Sequence, residues 1–167
     1  MKNFKKLSQM MFALAMSSVL IISCKKDDET VPMKPMEGNI VEVAAGNPDF
    51  SILVDAVKRA GLVDVLSAAG TYTVFAPTND AFADLLTELG ATSLEDIPVE
   101  TLKSVLLYHV LGIKVPSTSV ATGYVPTSAD GVAGNKLSLY IEKTGSSVKL
   151  NNRSNVTTVD ISASNGV

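Results

Sequence analysis

LKSVLLYHVLG, residues 102–112, holds the only histidine of this 167-residue chain, His109, inside an otherwise apolar run. On a helix turning about 100° per residue, Leu102, Val105, Leu106, His109 and Val110 share one face. Tyr108 falls off that stripe, toward Thr101 and Leu111. A histidine among Leu and Val, without a partner His or Cys, reads as a core residue whose ring nitrogens bond backbone or a nearby carboxylate. The pattern predicts a helix through VETLKSVLLYHVLG that stops at Gly112, with His109 locking it against whatever it packs on.

Toward the N-terminus the chain continues to read as helices. NPDFSILVDAVKRAGL (47–62) spaces Phe50, Leu53, Val54, Val57 and Ala60 by three and four, with Gly61 placed to end the helix. LVDVLSAAG (62–70) repeats this over a shorter span and ends at Gly70. TYTVFAP (71–77) alternates β-branched and aromatic residues and reads as a strand ending at Pro77. Thr78 is positioned to cap a helix over NDAFADLLTEL (79–89). Asp80 sits in its first turn, where exposed N–H groups favour negative charge, and Gly90 closes it. TSLEDIP (92–98) predicts one short helical turn.

Beyond Gly112 the character changes. IKVPS (113–117), GYVPT (123–127), KLSLYIEK (136–143), SSVKLNN (146–152) and NVTTVDISA (155–163) read as short strands separated by Gly, Asn, Ser and Pro. EKTGSSV predicts a hairpin connection joining Leu137–Lys143 to Ser147–Leu150. Helices followed by strands indicate an α+β domain, with helices packed on a largely antiparallel sheet or sandwich. Strand–helix alternation is missing, so a doubly wound nucleotide fold is not expected. At the C-terminus, Asn165-Gly166 is a tight-turn signal after a strand. Only Val167 follows it, so either the pair is just a polar terminus or the domain is truncated by one strand, and truncation is the expectation.

The first residues read as targeting sequence. Lys2, Lys5 and Lys6 precede an apolar stretch from Met10 to Ile22, too short to span a bilayer and laid out as a secretory signal. Ser23 and the lone Cys24 follow, an arrangement that resembles the lipobox of bacterial lipoproteins, which implies cleavage before Cys24 and its lipidation. Residues 1–23 are thus expected to be the signal, 24–36 a lipidated cysteine and flexible linker, and 37–167 the domain. KKDD directly after Cys24 looks like a signal for export to the outer surface of the outer membrane. Loss of residues 1–23 leaves 11 basic and 17 acidic side chains, a net charge of −6. That balance argues against nucleic-acid binding and places any membrane contact in the lipid rather than in a basic patch.

Catalytic and metal motifs are missing. There is no G-x-S-x-G elbow, no phosphate-cradling glycine loop, and one histidine with no free cysteine falls short of a zinc set. A pair among the 17 acids could still do acid–base work, so a carboxylate-dependent glycan hydrolase stands as an alternative. A self-associating structural envelope protein is another.

TYTVFAPTNDAF (71–82), LKSVLLYHVLG (102–112) and NVTTVDISASNGV (155–167) resemble, in order and spacing, the three signature stretches of the fasciclin domain. EGNIVEVAAGNPDFSILVDAVKRAGL resembles that family's opening helices, so the likeness covers about residues 37–167. It implies a β-sandwich of about seven strands with helices along one side and no known catalytic activity; with the motifs above missing, no cofactor and no metal are expected. It also implies an extracellular role in adhesion and in binding protein or glycan partners. In the family the pair matched by Tyr108 and His109 is tied to fold integrity and, in some animal members, to adhesion. Thr78, Asn79 and Asp80 match family-typical positions of structural character.

Overall fold

The computed structural model describes residues 38–167; the signal, Cys24 and the linker lie outside the described residues. The helical part begins with α1 (Ile40–Ala45), which residue periodicity does not reveal because six residues make too few turns to show a stripe. Its start is capped instead. The Asn39 side chain accepts from the N–H groups of Val41 and Glu42, while the Glu42 carboxylate accepts from Asn39 N at 2.8 Å. A 3-10 turn over Pro48–Phe50 leads into α2 (Ser51–Arg59), whose buried face of Leu53, Val54, Ala56 and Val57 follows the expected spacing. Helix α3 (Val63–Ser67) stops before Gly70.

Helix α4 (Asn79–Leu89) starts at the Thr78 cap and ends at Gly90, whose φ of 65° is the left-handed conformation that closes a helix without cost only for glycine. The short turn expected in TSLEDIP is a 3-10 turn at Leu94–Asp96, held by the Asp96 carboxylate on the N–H groups of Thr92 and Ser93.

Helix α5 (Val99–Tyr108) is shorter than expected. It ends at Tyr108, not at Gly112, and His109 is its C-cap. Val110–Leu111 is a strand, β2, which pairs antiparallel with β1 (Thr73–Val74) in the register Thr73↔Leu111 and Val74↔Val110. The N–H of Phe75 takes the carbonyl of His109 at 2.9 Å. Val110 and Leu111 are 3% and 0% exposed, so two consecutive side chains, on opposite sides of a strand, are both covered. A helix with one buried stripe would leave one of them facing water.

The remaining strands form one antiparallel sheet in the order β3-β4-β5-β6: β3 (Gly123–Asp130), β4 (Lys136–Thr144), β5 (Ser147–Leu150) and β6 (Ser154–Asn155). The expected β4–β5 hairpin is present, with Thr144 opposite Ser147 and Gly145, at φ 61°, first in its two-residue loop. Pro126 lies on the edge strand β3, where its missing N–H costs no ladder bond. The ladder slips between Pro126 and Asp130, and there the Thr127 hydroxyl bonds the Leu137 carbonyl.

The α+β class is as expected, but the strand inventory differs. Six strands lie in two sheets among the described residues. IKVPS is not a strand: the Thr73 hydroxyl donates to Ile113 O (2.7 Å) and accepts from Val115 N (2.8 Å), substituting for a ladder before a 3-10 turn at Ser117–Ser119. NVTTVDISA contributes only Asn155 to a strand. Val156 still bonds Val148 O on β5 through its N–H and packs under the sheet, but the residues after it leave the sheet, and Val159 and Ile161 stay exposed.

The C-terminal turn is displaced by one residue. Ala163 and Gly166 bond each other's backbones, which puts Ser164 and Asn165, rather than Asn165 and Gly166, at its corners. The chain then runs parallel to β1, through Tyr72 N to Asn165 O, Val167 N to Tyr72 O and Val74 N to Val167 O. Gly166 is required by this approach, since a Cβ there would stand 2.3 Å from the Tyr72 carbonyl oxygen.

Two apolar clusters result. One joins the helices through Leu53, Val57, Leu66, Phe82, Leu102 and Leu106. The other, Leu139, Ile141 and Val148, lies under the four-stranded sheet and receives Phe75 and Tyr108 from the helical side.

Candidate functional site

Tyr108 and His109 divide the work that residue spacing assigned to His109 alone. The Tyr108 ring enters the cluster beneath the sheet. Its hydroxyl donates to Ser138 O on β4 at 3.1 Å and accepts from Asn151 Nδ2 at 3.0 Å, and Asn151 Oδ1 accepts from Tyr140 N. Tyr108 therefore locks α5 to the sheet. The imidazole of His109 turns back on its own helix, with Nδ1 2.8 Å from Val105 O. A carbonyl only accepts, so Nδ1 carries the proton, and the ring satisfies one of the last carbonyls of α5. The two rings meet edge to face, with centroids 6.1 Å apart.

His109 also lines an apolar cavity with Val74, Phe75, Pro77 and Leu106. Its volume of about 30 Å³ is far below the roughly 300 Å³ at which small-molecule sites begin. The cavity is a small apolar gap among α1, α2, α5 and β1.

Thr78, Asn79 and Asp80 sit at the start of α4. Thr78 caps it through Ala81 N at 3.5 Å. Asn79 faces away from its own helix toward α2, whose N-cap residue, Phe50, offers no side-chain bond. Asn79 Oδ1 accepts from Ile52 N (3.0 Å), and its Nδ2 donates to Pro48 O (3.0 Å) and Ser51 Oγ (3.1 Å). It thus caps α2 from a neighbouring helix. Asp80 is exposed in the first turn of α4, where it complements the helix dipole.

Residue spacing did not single out Asn165, which is 4% exposed. Its Oδ1 accepts from Ile40 N, the first-turn N–H that Asn39 leaves unbonded, and its Nδ2 donates to the carbonyls of Leu66 and Ala68 at 2.8 Å each. One amide side chain thereby closes the start of α1 and the end of α3. The Asn-Gly pair marked a turn in the sequence, but nothing local reveals bonds to residues about a hundred positions away.

The carboxylates with displaced pKa values all move down, the reverse of what a general acid requires. Asp160, in the left-handed region at φ 58°, accepts from the Ser117 hydroxyl (2.5 Å) and N–H (2.8 Å). Those bonds, first the hydroxyl's, hold its pKa below the ordinary value, with help from the Lys143 charge. Lys143 Nζ in turn donates to Ser117 O at 2.6 Å. The N–H and hydroxyl of Thr92 lower Asp96, and the Ser93 hydroxyl lowers Glu95. Among the described residues, no group of three or more His, Cys, Asp or Glu is placed to share a metal ion.

The Asp160 clamp has a definite pH signature. A carboxylate depressed in the folded state adds stability above its unfolded pKa and loses it as pH falls through the folded value. Melting temperature followed from pH 7 to pH 2 should therefore show wild type above Asp160→Asn at neutral pH and the two converging in acid. A gap that stays constant over that range would remove the clamp's electrostatic role.

Comparison with known proteins agrees with this geometry. The Fasciclin domain family profile matches residues 48–167, and the chain belongs to that family. Protein sll1483 of Synechocystis is 39% identical over 160 residues, covering 93% of this chain and 85% of its own. The transforming growth factor-beta-induced protein ig-h3 of Oryctolagus cuniculus is 33% identical over 139 residues; these span 81% of this chain but 19% of that protein. A solved FAS1 domain pair from the insect cell adhesion molecule fasciclin I superposes with a TM-score of 0.60 at 16% identity, over 77% of this chain and 47% of that one, a likeness of fold.

Proposed function

We propose that the chain is a lipid-anchored, extracytoplasmic, non-catalytic fasciclin module that mediates adhesion by binding a protein or glycan partner. The observation that carries this reading is how the signature residues are used. Tyr108, His109, Asn79 and Asn165 direct polar side-chain atoms to backbone groups of the fold. They build the domain, and the work is left to its surface. The solved relative from fasciclin I is itself named a cell adhesion molecule. The anchor reading rests on the run Met10–Ile22, Ser23 and Cys24, with KKDD favouring the outer surface of the outer membrane.

Two measurements test it. Cys24→Ser should move the full chain from the membrane fraction to the soluble fraction, and continued membrane fractionation would refute lipidation. Cells displaying the full chain should attach to protein- or glycan-coated surfaces more than cells lacking it. Equal attachment on every coating would end the adhesion reading.

A further inference from the structure

Strand alternation separates the two faces of the four-stranded sheet. Val125, Leu139, Ile141 and Val148 point inward, to the apolar cluster. Tyr124 and Tyr140, directly opposite each other on β3 and β4, point outward. Their rings lie 5.0 Å apart and are tilted by 52°, and Tyr124 is 76% exposed. An aromatic pair this open in mid-strand presents apolar ring faces with polar hydroxyls to solvent, an amphipathic surface on which a ligand can stack. Along the sheet from the pair, Glu142 on β4, Lys149 on β5 and Asn155 on β6 stand in register across three strands. Lys149 makes no ion pair among the described residues.

Charge is divided between the two parts of the domain. Residues 38–111 carry ten carboxylates against three cations, a net of −7, whereas residues 112–167 carry three against five, a net of +2. In a protein that is acidic as a whole, the sheet part is where an anionic partner meets least repulsion.

We propose that the outer face of this sheet binds an acidic polysaccharide, with sugar rings stacked on Tyr124 and Tyr140 and a uronate carboxylate paired with Lys149. The ring separation is close to the step between successive sugars in an extended pyranose chain, and the apolar C–H face of a pyranose matches an open tyrosine ring. Glu142 and Asn155 supply an acceptor and an amide for the sugar hydroxyls. The strand carrying Tyr140 is held by Asn151 Oδ1 accepting the Tyr140 backbone N–H, and tyrosine loses little side-chain freedom on binding. This assignment rests on the adhesion reading and names its ligand class and surface.

The test uses the full chain with five probes: polygalacturonate, alginate, hyaluronate, neutral dextran and poly-L-glutamate. The uronate polymers should bind, with dextran and polyglutamate much weaker. Tyr124→Ala should reduce uronate binding by about tenfold, the loss of one aromatic contact, while the domain stays folded with a melting temperature lowered only by the loss of the cross-strand pair with Tyr140. Tyr124→Phe should retain most of the binding, and Lys149→Gln should weaken it and flatten its salt dependence. Undiminished binding by Tyr124→Ala, no binding of any uronate polymer, or equal binding of polyglutamate would each overturn the proposal. If it falls while displayed cells still attach to coated surfaces, the adhesion reading survives with another surface. If attachment is also missing, both fall.

Discussion

Replacing Asn165 with Ala should lower stability by about 2–3 kcal/mol: one buried partner and two part-buried ones lose their bonds, at roughly 1–3 kcal/mol for a fully buried group and less where water from the adjoining cleft can take over. The stranded groups are the Ile40 N–H and the carbonyls of Leu66 and Ala68. That cleft, lined by Gly38, Asn39, Glu42 and Ser67, is open enough to admit water. Asn165→Asp should be worse than Ala, because it aims a carboxylate at two carbonyl oxygens. Urea titration would measure both, and hydrogen exchange should show α1 and the end of α3 losing protection first. If Asn165→Ala changes the midpoint no more than an exposed substitution such as Ser164→Ala, this hub is not what holds the three segments together.

The second large effect separates Tyr108 from His109. Tyr108→Ala removes a ring from the cluster under the sheet together with the hydroxyl that joins Ser138 and Asn151, and should cost about 3 kcal/mol. Tyr108→Phe keeps the ring and should cost about 1 kcal/mol. His109→Ala gives up one bond to Val105 O and a share of the cavity wall, and should cost about 1–2 kcal/mol. The order of the three, read from thermal or urea unfolding, is the prediction. His109→Ala more damaging than Tyr108→Ala would restore the imidazole as the lock between helix and sheet.

Local signals in this chain decide most element ends, although the C-terminal turn lies one residue before Asn165-Gly166 and Gly112 does not end α5. Thr78 starting α4, Gly90 ending it, the short turn closed by Asp96 and the Gly145 hairpin all follow from bonds or φ angles set by immediate neighbours. The same holds for the buried face of α2, whose period is visible over nine residues. Six-residue α1 makes too few turns to show a stripe, and the bonds that start it come from the Asn39 cap and from distant Asn165.

Errors arose where two local readings fit and distance decided. Val110 and Leu111 continue a helical stripe as easily as they form a strand. β1 settles the matter by taking the His109 carbonyl and pairing with both residues. NVTTVDISA has strand-forming residues, yet propensity for a pleated surface has no effect without an edge to join. The segment is held instead by Asp160 on Ser117. The candidate residues divide along the same line. Tyr108 was visible as a residue off the stripe, but its partners, 30 and 43 positions away, were not. Asn79 was marked at a helix start, and only packing shows that the helix it caps is the neighbouring one.

By itself, then, the amino-acid sequence determined the α+β class, the order of helices before strands, and most helix ends, because capping, glycine conformation and apolar spacing act over four residues or fewer. Only the tertiary structure decided where α5 gives way to β2, which segments find a sheet edge, and which side chains join the two clusters. Those outcomes depend on backbone groups and ring faces from distant parts of the chain, and a donor without its acceptor in view carries no sign of where it will bond.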